Sequence, residues 1–321
     1  MQPAFVHHPD YDFELPRTAE GDDLGRLHLF DGRRASRAWE LALARDPAIE
    51  GARLEPEAVS VTELLRVHSR DYLASLESSA ALAEVIESPR AAELDFEPLW
   101  RAVAGPQLLA TGGTLLALRH ALEGGVAINL SGGYHHAHRG RGGGFCLFND
   151  IALTAVVARR EHGLARVLVV DLDVHQGDGT SSILAEEEGV AILDVYNADV
   201  FPGDAAARRG LRWDLPVHTG TSGAAYLELV ERELPRALDD FDPQLVLFNA
   251  GTDVVAGDPL GSLAVEPEAV ERRDELVLAE TRRRGIATVV TASGGYTELS
   301  HRLLAATVGG LWARAQESPA G

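Results

Sequence analysis

Residues 167–179 read Val167-Leu168-Val169-Val170-Asp171-Leu172-Asp173-Val174-His175-Gln176-Gly177-Asp178-Gly179. The first four are an unbroken aliphatic run, the pattern of a strand buried on both faces of a parallel sheet. The run then empties into Asp, His and Gly, the composition of a ligand-binding loop at a strand's carboxyl end. Four further runs repeat the pattern: Val126-Ala127-Ile128-Asn129-Leu130, Val190-Ala191-Ile192-Leu193-Asp194-Val195, Leu245-Val246-Leu247-Phe248-Asn249 and Ala287-Thr288-Val289-Val290-Thr291. They lead into Ser131-Gly132-Gly133-Tyr134-His135-His136, residues 194–197, Asn249-Ala250-Gly251-Thr252-Asp253 and Ser293-Gly294-Gly295-Tyr296. Segments of helical period lie between them at 151–162, 224–238, 268–284 and 298–314, the first with Asn149 or Asp150 as its expected N-cap. The alternation predicts an α/β fold, a central parallel sheet flanked by helices with the active site at the strand C-terminal ends. The first 120 residues are less regular, with helical stretches near 33–45, 61–77 and 107–123. No linker cuts them off, so 1–321 is expected to be a single domain.

The 321 residues carry 29 basic and 49 acidic side chains, 29 − 49 = −20. That charge argues against nucleic-acid and anionic-membrane partners and leaves room for basic substrates such as lysine-containing peptides or polyamines. A 45% apolar content with 24% charged residues excludes disorder over the bulk of the chain. The longest stretch free of charge, 102–118, contains Gly, Pro, Gln and Thr and is shorter than the roughly 20 apolar residues of a bilayer span, so no membrane span is expected. A single cysteine, Cys146, excludes an internal disulfide and a cysteine-built zinc site, and is read as a small buried hydrophobe. With no basic and apolar leader visible, a cytoplasmic location is expected.

Asp173 and His175, two residues apart at a strand end, can aim at one point, and Asp253 after a later strand supplies a third ligand. Two carboxylates and an imidazole with an open position suit catalytic zinc, with iron(II) or cobalt as alternatives. A lone Asp-x-His is more often a helix cap beside a surface histidine; four further polar strand ends favour the metal. The tandem His135-His136, with Asp171 and Asp178 nearby, offers two histidine–carboxylate dyads for proton handling, or else a polar Gly-loop continuing to His138. Tyr296, after two glycines, can point its hydroxyl at a developing oxyanion, or else is an ordinary half-buried tyrosine.

In this order the segments resemble the histone deacetylase family of metal-dependent deacylases, which share the arginase/deacetylase-like α/β fold. The resemblance rests on Gly132-Gly133-Tyr134-His135-His136-Ala137, Gly143-Gly144-Phe145-Cys146-Leu147-Phe148-Asn149-Asp150-Ile151, residues 170–179, Asn249-Ala250-Gly251-Thr252-Asp253 and Ser293-Gly294-Gly295-Tyr296. It extends to Val67-His68-Ser69-Arg70-Asp71-Tyr72-Leu73. It implies one zinc on Asp173, His175 and Asp253, a proton-handling pair His135 and His136 oriented by Asp171 and Asp178, His136 as general base, and Tyr296 polarising the acyl carbonyl. It also implies substrate contacts from Gly144, tunnel walls from Phe145 and Phe201, Leu260 near the mouth, and a structural potassium or sodium ion near Asp171 and Asp194.

Gln176, Asp194-Val195-Tyr196-Asn197 and Gly257-Asp258-Pro259-Leu260-Gly261, followed by Arg273-Asp274-Glu275-Leu276, look most like class IV and its bacterial relatives. Members of that class can remove long fatty-acyl groups, which suggests a deep pocket, whereas Phe145, Leu147 and Phe148 are large enough to close its floor. The implied function is removal of acetyl or longer acyl groups from lysine side chains of a peptide or protein, or from a small acylated amine. The alternatives are an acetylpolyamine amidohydrolase, a binuclear ureohydrolase and a non-catalytic acyl-lysine binder.

Overall fold

The computed structural model describes residues 2–16 and 31–317. Its strands are β1 (Ala4–Val6), β2 (Arg53–Leu54), β3 (Val126–Asn129), β4 (Val167–Asp171), β5 (Val190–Asn197), β6 (Trp213–Val217), β7 (Leu245–Asn249) and β8 (Ala287–Thr291). They form one eight-stranded sheet in the order β2-β1-β3-β8-β7-β4-β5-β6, with every pairing parallel. All residues of β4 and β7 are buried, which is why neither shows the polar alternation of a half-exposed strand. This is the expected α/β architecture, a central parallel sheet flanked by helices.

Three strands were not visible in the sequence. β1 and β2 span three and two residues, too few to set a period. β6 lies at the sheet edge and contains Pro216, which cannot donate to the ladder and so reads as a loop.

The helices are α1 (Arg34–Arg45), α2 (Val61–Leu64), α3 (Arg70–Ser75), α4 (Ser79–Val85), α5 (Phe96–Gly124), α6 (Asp150–Arg160), α7 (Asp178–Leu184), α8 (Gly223–Phe241), α9 (Pro267–Arg283) and α10 (Ser300–Glu317). α5 contacts β1, β3 and β8, α6 contacts β4 and β7, α8 contacts β5, and α9 contacts β8. The expected helix at 61–77 is divided into α2 and α3 because Ser69 caps a new helix through the Tyr72 N–H, leaving His68 in the break. The expected helix at 107–123 starts earlier, at Phe96, and runs through Pro106. Buried Leu99, Val103 and Ala104 anchor the turns before the proline, so packing overrides its breaker tendency. Among the described residues no helix is long and apolar enough to cross a membrane.

Register then sets where chemistry can occur. Asp171 pairs with Asp194 on one side and Asn249 on the other, while Thr291 pairs with Asn249 and Asn129. The ends of β3, β8, β7 and β4 therefore lie level with one another and with Asp194, beyond which β5 runs on to Asn197, and the loops that follow leave from one edge. Consecutive β3 and β4 stand on opposite sides of the β8–β7 pair, a topological switch point of the kind that opens a crevice.

Candidate active site

β4 ends at Asp171, so Asp173 and His175 lie on the loop beyond the strand, and a turn rather than strand alternation brings them together. In that turn the His175 N–H donates to Asp173 Oδ1 at 2.9 Å. Asp173, His175 and Asp253 are buried, and one ligand atom from each lies within 4.8 Å of the others. His175 Nδ1 is 3.2 Å from Asp173 Oδ1 and 3.3 Å from Asp253 Oδ2. Asp173 Oδ2 accepts from Ser293 Oγ and the Gly294 N–H, each at 2.8 Å, and Asp253 Oδ1 accepts from the Val174 N–H at 2.9 Å. Asp253 Oδ2 is buried without a hydrogen bond. Burial, then the Asp173 charge, pushes the Asp253 carboxyl up. Burial alone would lower His175, but the two carboxylates outweigh it and raise it to about 10. Two crowded carboxylates, one with a free lone pair, thus draw a positive charge to this point, and the donor set fits a divalent first-row cation. The close approach requires glycine: a Cβ at Gly294 would lie 2.1 Å from Asp253 Oδ2, and one at Gly251 would lie 2.4 Å from Asp173 Oδ2.

The tandem histidines lie beside this cluster with ring centroids 4.1 Å apart. His135 Nδ1 is 2.9 Å from Asp171 Oδ2, and His136 Nδ1 is 2.7 Å from Asp178 Oδ1. Each dyad uses Nδ1 and leaves Nε2 as the outward ring nitrogen. Burial would lower His135, yet Asp171 and Asp173 outweigh it and raise it to about 10. Burial and the neighbouring His135 instead lower His136 to about 4. The two dyads are thus held in unlike electrostatic surroundings, which favour the charged ring at His135 and the neutral ring at His136.

Residues outside the expected set build this turn. Asp150, at the start of α6, turns its carboxylate back to accept from the Gly133 and Tyr134 N–H groups and from Thr114 Oγ1. Asn149 caps α6 by accepting from the Ala152 N–H, and its amide donates to the Ala137 carbonyl. His68 braces both: its Nδ1 donates to the His138 carbonyl and its Nε2 accepts from the Asn149 N–H, each at 2.9 Å. That arrangement requires a neutral ring, and burial lowers His68 to about 4. Since the unfolded ring takes a proton near 6.5, this contribution to stability is complete above pH 6.5 and is lost as pH falls toward 4. The loss should be on the order of 3 kcal/mol. Denaturant unfolding of wild type and His68→Gln across this range should show a shallower slope in the variant; equal slopes would remove His68 from the pH response.

A cavity of about 950 Å³, its open mouth included, joins these groups. Tyr296, Phe145 and Gly144 line it beside His135, His136, Asp173 and His175. The Tyr296 ring stands 6.4 Å edge-on from His175 and 6.2 Å from Phe145, and burial pushes its hydroxyl up, so it stays a donor. Gly144 has φ +51°, and a Cβ there would lie 2.4 Å from His136 Cδ2. Phe201 is exposed, with its ring 5.0 Å from His136. Leu260 is not among the lining residues; its N–H binds Asp258 Oδ1, and Asp258 Oδ2 accepts from the Tyr296 N–H. Leu147 and Phe148 are not among the lining residues: both are buried in the core, and the apolar lining instead includes Tyr11, Leu15, Val103, Pro106 and Leu130. Arg34 is also buried there and donates to the Ser293 and Gly295 carbonyls. Nothing in its local sequence marked it. Cys146 is buried, with its thiol pushed up by burial and donating to the Gly144 carbonyl, which suits packing and not nucleophilic attack.

Two neighbouring features bear on ions. Asp194, level with Asp171, has one buried oxygen without a hydrogen bond while the other accepts from the Gly177 N–H. His138, Asp178 and Asp204 form a second group of metal-type side chains, but the Arg141 guanidinium already stands 2.8 Å from His138 Nε2.

A parallel α/β sheet whose strand ends hold an Asp–His–Asp cluster beside two histidine–aspartate dyads has the architecture of the arginase/deacetylase group. The family model of the histone deacetylase domain matches residues 28–311. The chain belongs to the histone deacetylase family. It is 39% identical over 283 residues to histone deacetylase 2 of Arabidopsis thaliana, covering 88% of this chain and 73% of that protein. It is 30% identical to a probable deacetylase of Methanothermobacter thermautotrophicus, with 83% and 78% covered, and 26% identical to the acetoin utilization protein AcuC of Bacillus subtilis, with 91% and 77% covered. The crystal structure of the HDA15 HD domain shares the fold with a TM-score of 0.75 at 22% identity, over 98% of this chain and 89% of that one.

Proposed function

We propose that this protein is a zinc-dependent amide hydrolase that removes acyl groups from lysine side chains of peptides or proteins, or from a small acylated amine. The reading is carried by the meeting of the Asp173–His175–Asp253 cluster, two histidine–aspartate dyads and Tyr296 at one cavity. Those three side chains would hold one zinc, and iron(II) or cobalt(II) suits the same donors. When bound, the metal supplies a Lewis acid for the amide carbonyl and lowers the pKa of water.

The rest falls to the chain. His136 accepts the attacking water's proton at Nε2 while Asp178 on Nδ1 fixes the tautomer. His135, whose charged form Asp171 favours through Nδ1, offsets the negative charge that develops beside it. Tyr296 donates its hydroxyl to the oxyanion. A protonated histidine then returns a proton to the departing amine nitrogen, so the amide C–N bond breaks to a carboxylic acid and an amine, and transfer of the acid's proton to the amine leaves a carboxylate and an ammonium. A potassium or sodium ion would find ligands at Asp171 and Asp194, where it would offset the second carboxylate.

The apolar side chains in the cavity lining, among them Leu15, Val103, Pro106 and Leu130, support acyl groups longer than acetyl. Each methylene buried there adds about 0.8 kcal/mol, so four more carbons favour a longer chain by about 3 kcal/mol. That is about two orders of magnitude in kcat/KM. The test compares acetyl-, octanoyl- and myristoyl-lysine versions of one peptide with acetylated polyamines. With four of its six extra carbons buried, octanoyl should exceed acetyl by about 100-fold. A monotonic fall with length would leave a short-acyl deacetylase, and faster turnover of acetylpolyamines than of any peptide would move the assignment to a small amine.

A further inference from the structure

Among the largest fully buried side chains is a cationic one, Arg273 on α9, and the mechanism above does not use it. A buried guanidinium costs several kcal/mol unless its donors are matched. Here Nε and Nη2 bind Asp274 Oδ1 at 2.9 and 2.7 Å. Asp274 Oδ2 in turn accepts from Thr307 Oγ1 of α10 at 2.7 Å. The remaining nitrogen, Nη1, leaves the helix pair and donates to two main-chain carbonyls, Leu172 at 3.0 Å and Gly251 at 2.7 Å. Leu172 immediately precedes Asp173, and Gly251 stands two residues before Asp253. Tyr226 of α8 adds its hydroxyl to the Leu172 carbonyl at 3.3 Å. One nitrogen atom therefore ties together the two loops that carry the two crowded carboxylates.

Asp173 and Asp253 repel each other across the cluster, and the Nη1 bridge acts together with the Val174 N–H to Asp253 Oδ1 bond and the Leu172 N–H to Asn249 carbonyl bond to hold their loops against that repulsion. We infer that Arg273 is a positioning residue for the metal cluster: by bridging the Leu172 and Gly251 carbonyls it holds Asp173 and Asp253 at chelating separation before a cation arrives, and so sets zinc affinity. This rests on the metal reading of Asp173, His175 and Asp253. A planar fork that reaches a carboxylate and two carbonyls at once is a task for arginine; lysine keeps the charge but not the span.

The test measures zinc dissociation constants by chelator competition for wild type, Arg273→Lys and Arg273→Met, with the melting temperature of each metal-free protein and the visible spectrum of its cobalt(II) form. Removing a bridge behind metal ligands typically weakens binding about 10- to 100-fold. The loss should be larger in Arg273→Met than in Arg273→Lys, with an altered cobalt spectrum. Arg273→Lys retains the buried charge and carries the test if Arg273→Met does not fold. Unchanged zinc affinity with a lowered melting temperature would make Arg273 a core brace only, and tighter binding in Arg273→Met would mean that charge repulsion outweighs positioning; either overturns the inference. Failure of the wild type to bind any divalent metal would instead overturn the metal reading itself.

Discussion

Asp253→Ala is expected to lose its metal on dialysis and all measurable activity with it. The alanine leaves Asp173 and His175 as the remaining side chains of the proposed ligand cluster. If three ligands share on the order of 12 kcal/mol of apparent zinc binding, removing one costs about 4 kcal/mol, or about a thousandfold in affinity. Asp253 also accepts the Val174 N–H through Oδ1, so part of any effect could come from the loop. Asp253→Asn separates the two, because its carbonyl oxygen keeps that bond while the anionic ligand is gone. Both variants should lose zinc, and only Asp253→Ala should also lower the stability of the metal-free protein. Full zinc occupancy in Asp253→Ala, read by metal analysis after dialysis, would remove Asp253 from the coordination set.

Tyr296→Phe should keep fold and metal yet lower kcat by about 10²- to 10³-fold, the usual loss for one oxyanion donor. The tyrosine is not among the Asp173–His175–Asp253 ligands, and its ring packs edge-on to His175, so phenylalanine preserves the wall. Its placement depends on Asp258, which accepts the Tyr296 N–H, and on Gly294, where any side chain would strike Asp253. Matching circular dichroism and zinc content would confine the loss to the hydroxyl. An unchanged kcat would mean that the hydroxyl does not meet the oxyanion.

How much was legible follows from where each residue's signal lies. β4 and β7 announced themselves because full burial demands uninterrupted apolar residues, and the polar residues after them stood out against that background. The Asp173, His175 and Asp253 cluster and the two dyads could be guessed for the same reason: costly polar groups cluster just beyond the buried strands. β6 could not, since Pro216 hides an edge strand. Asp150 and His68 were quoted only as a cap and as part of a resemblance, because their work lies in hydrogen bonds to backbone far along the chain. Arg34 looks like one more arginine in a helix, and Arg273 stands out only as part of a resemblance, with no role attached. Burial gives them meaning, and burial of a single long side chain leaves no period. The depth of the pocket is hidden for a related reason: Phe145, Leu147 and Phe148 are all large and apolar, but only Phe145 lines the cavity while the other two are buried in the core.

The most direct test of the account is the release of acyl acid from an acyl-lysine peptide by protein stripped with a chelator and then titrated with zinc. The account predicts no turnover in the stripped protein and recovery that saturates at one equivalent per chain, with Asp253→Ala silent throughout. Turnover indifferent to chelation, or activity that requires two equivalents, would contradict it.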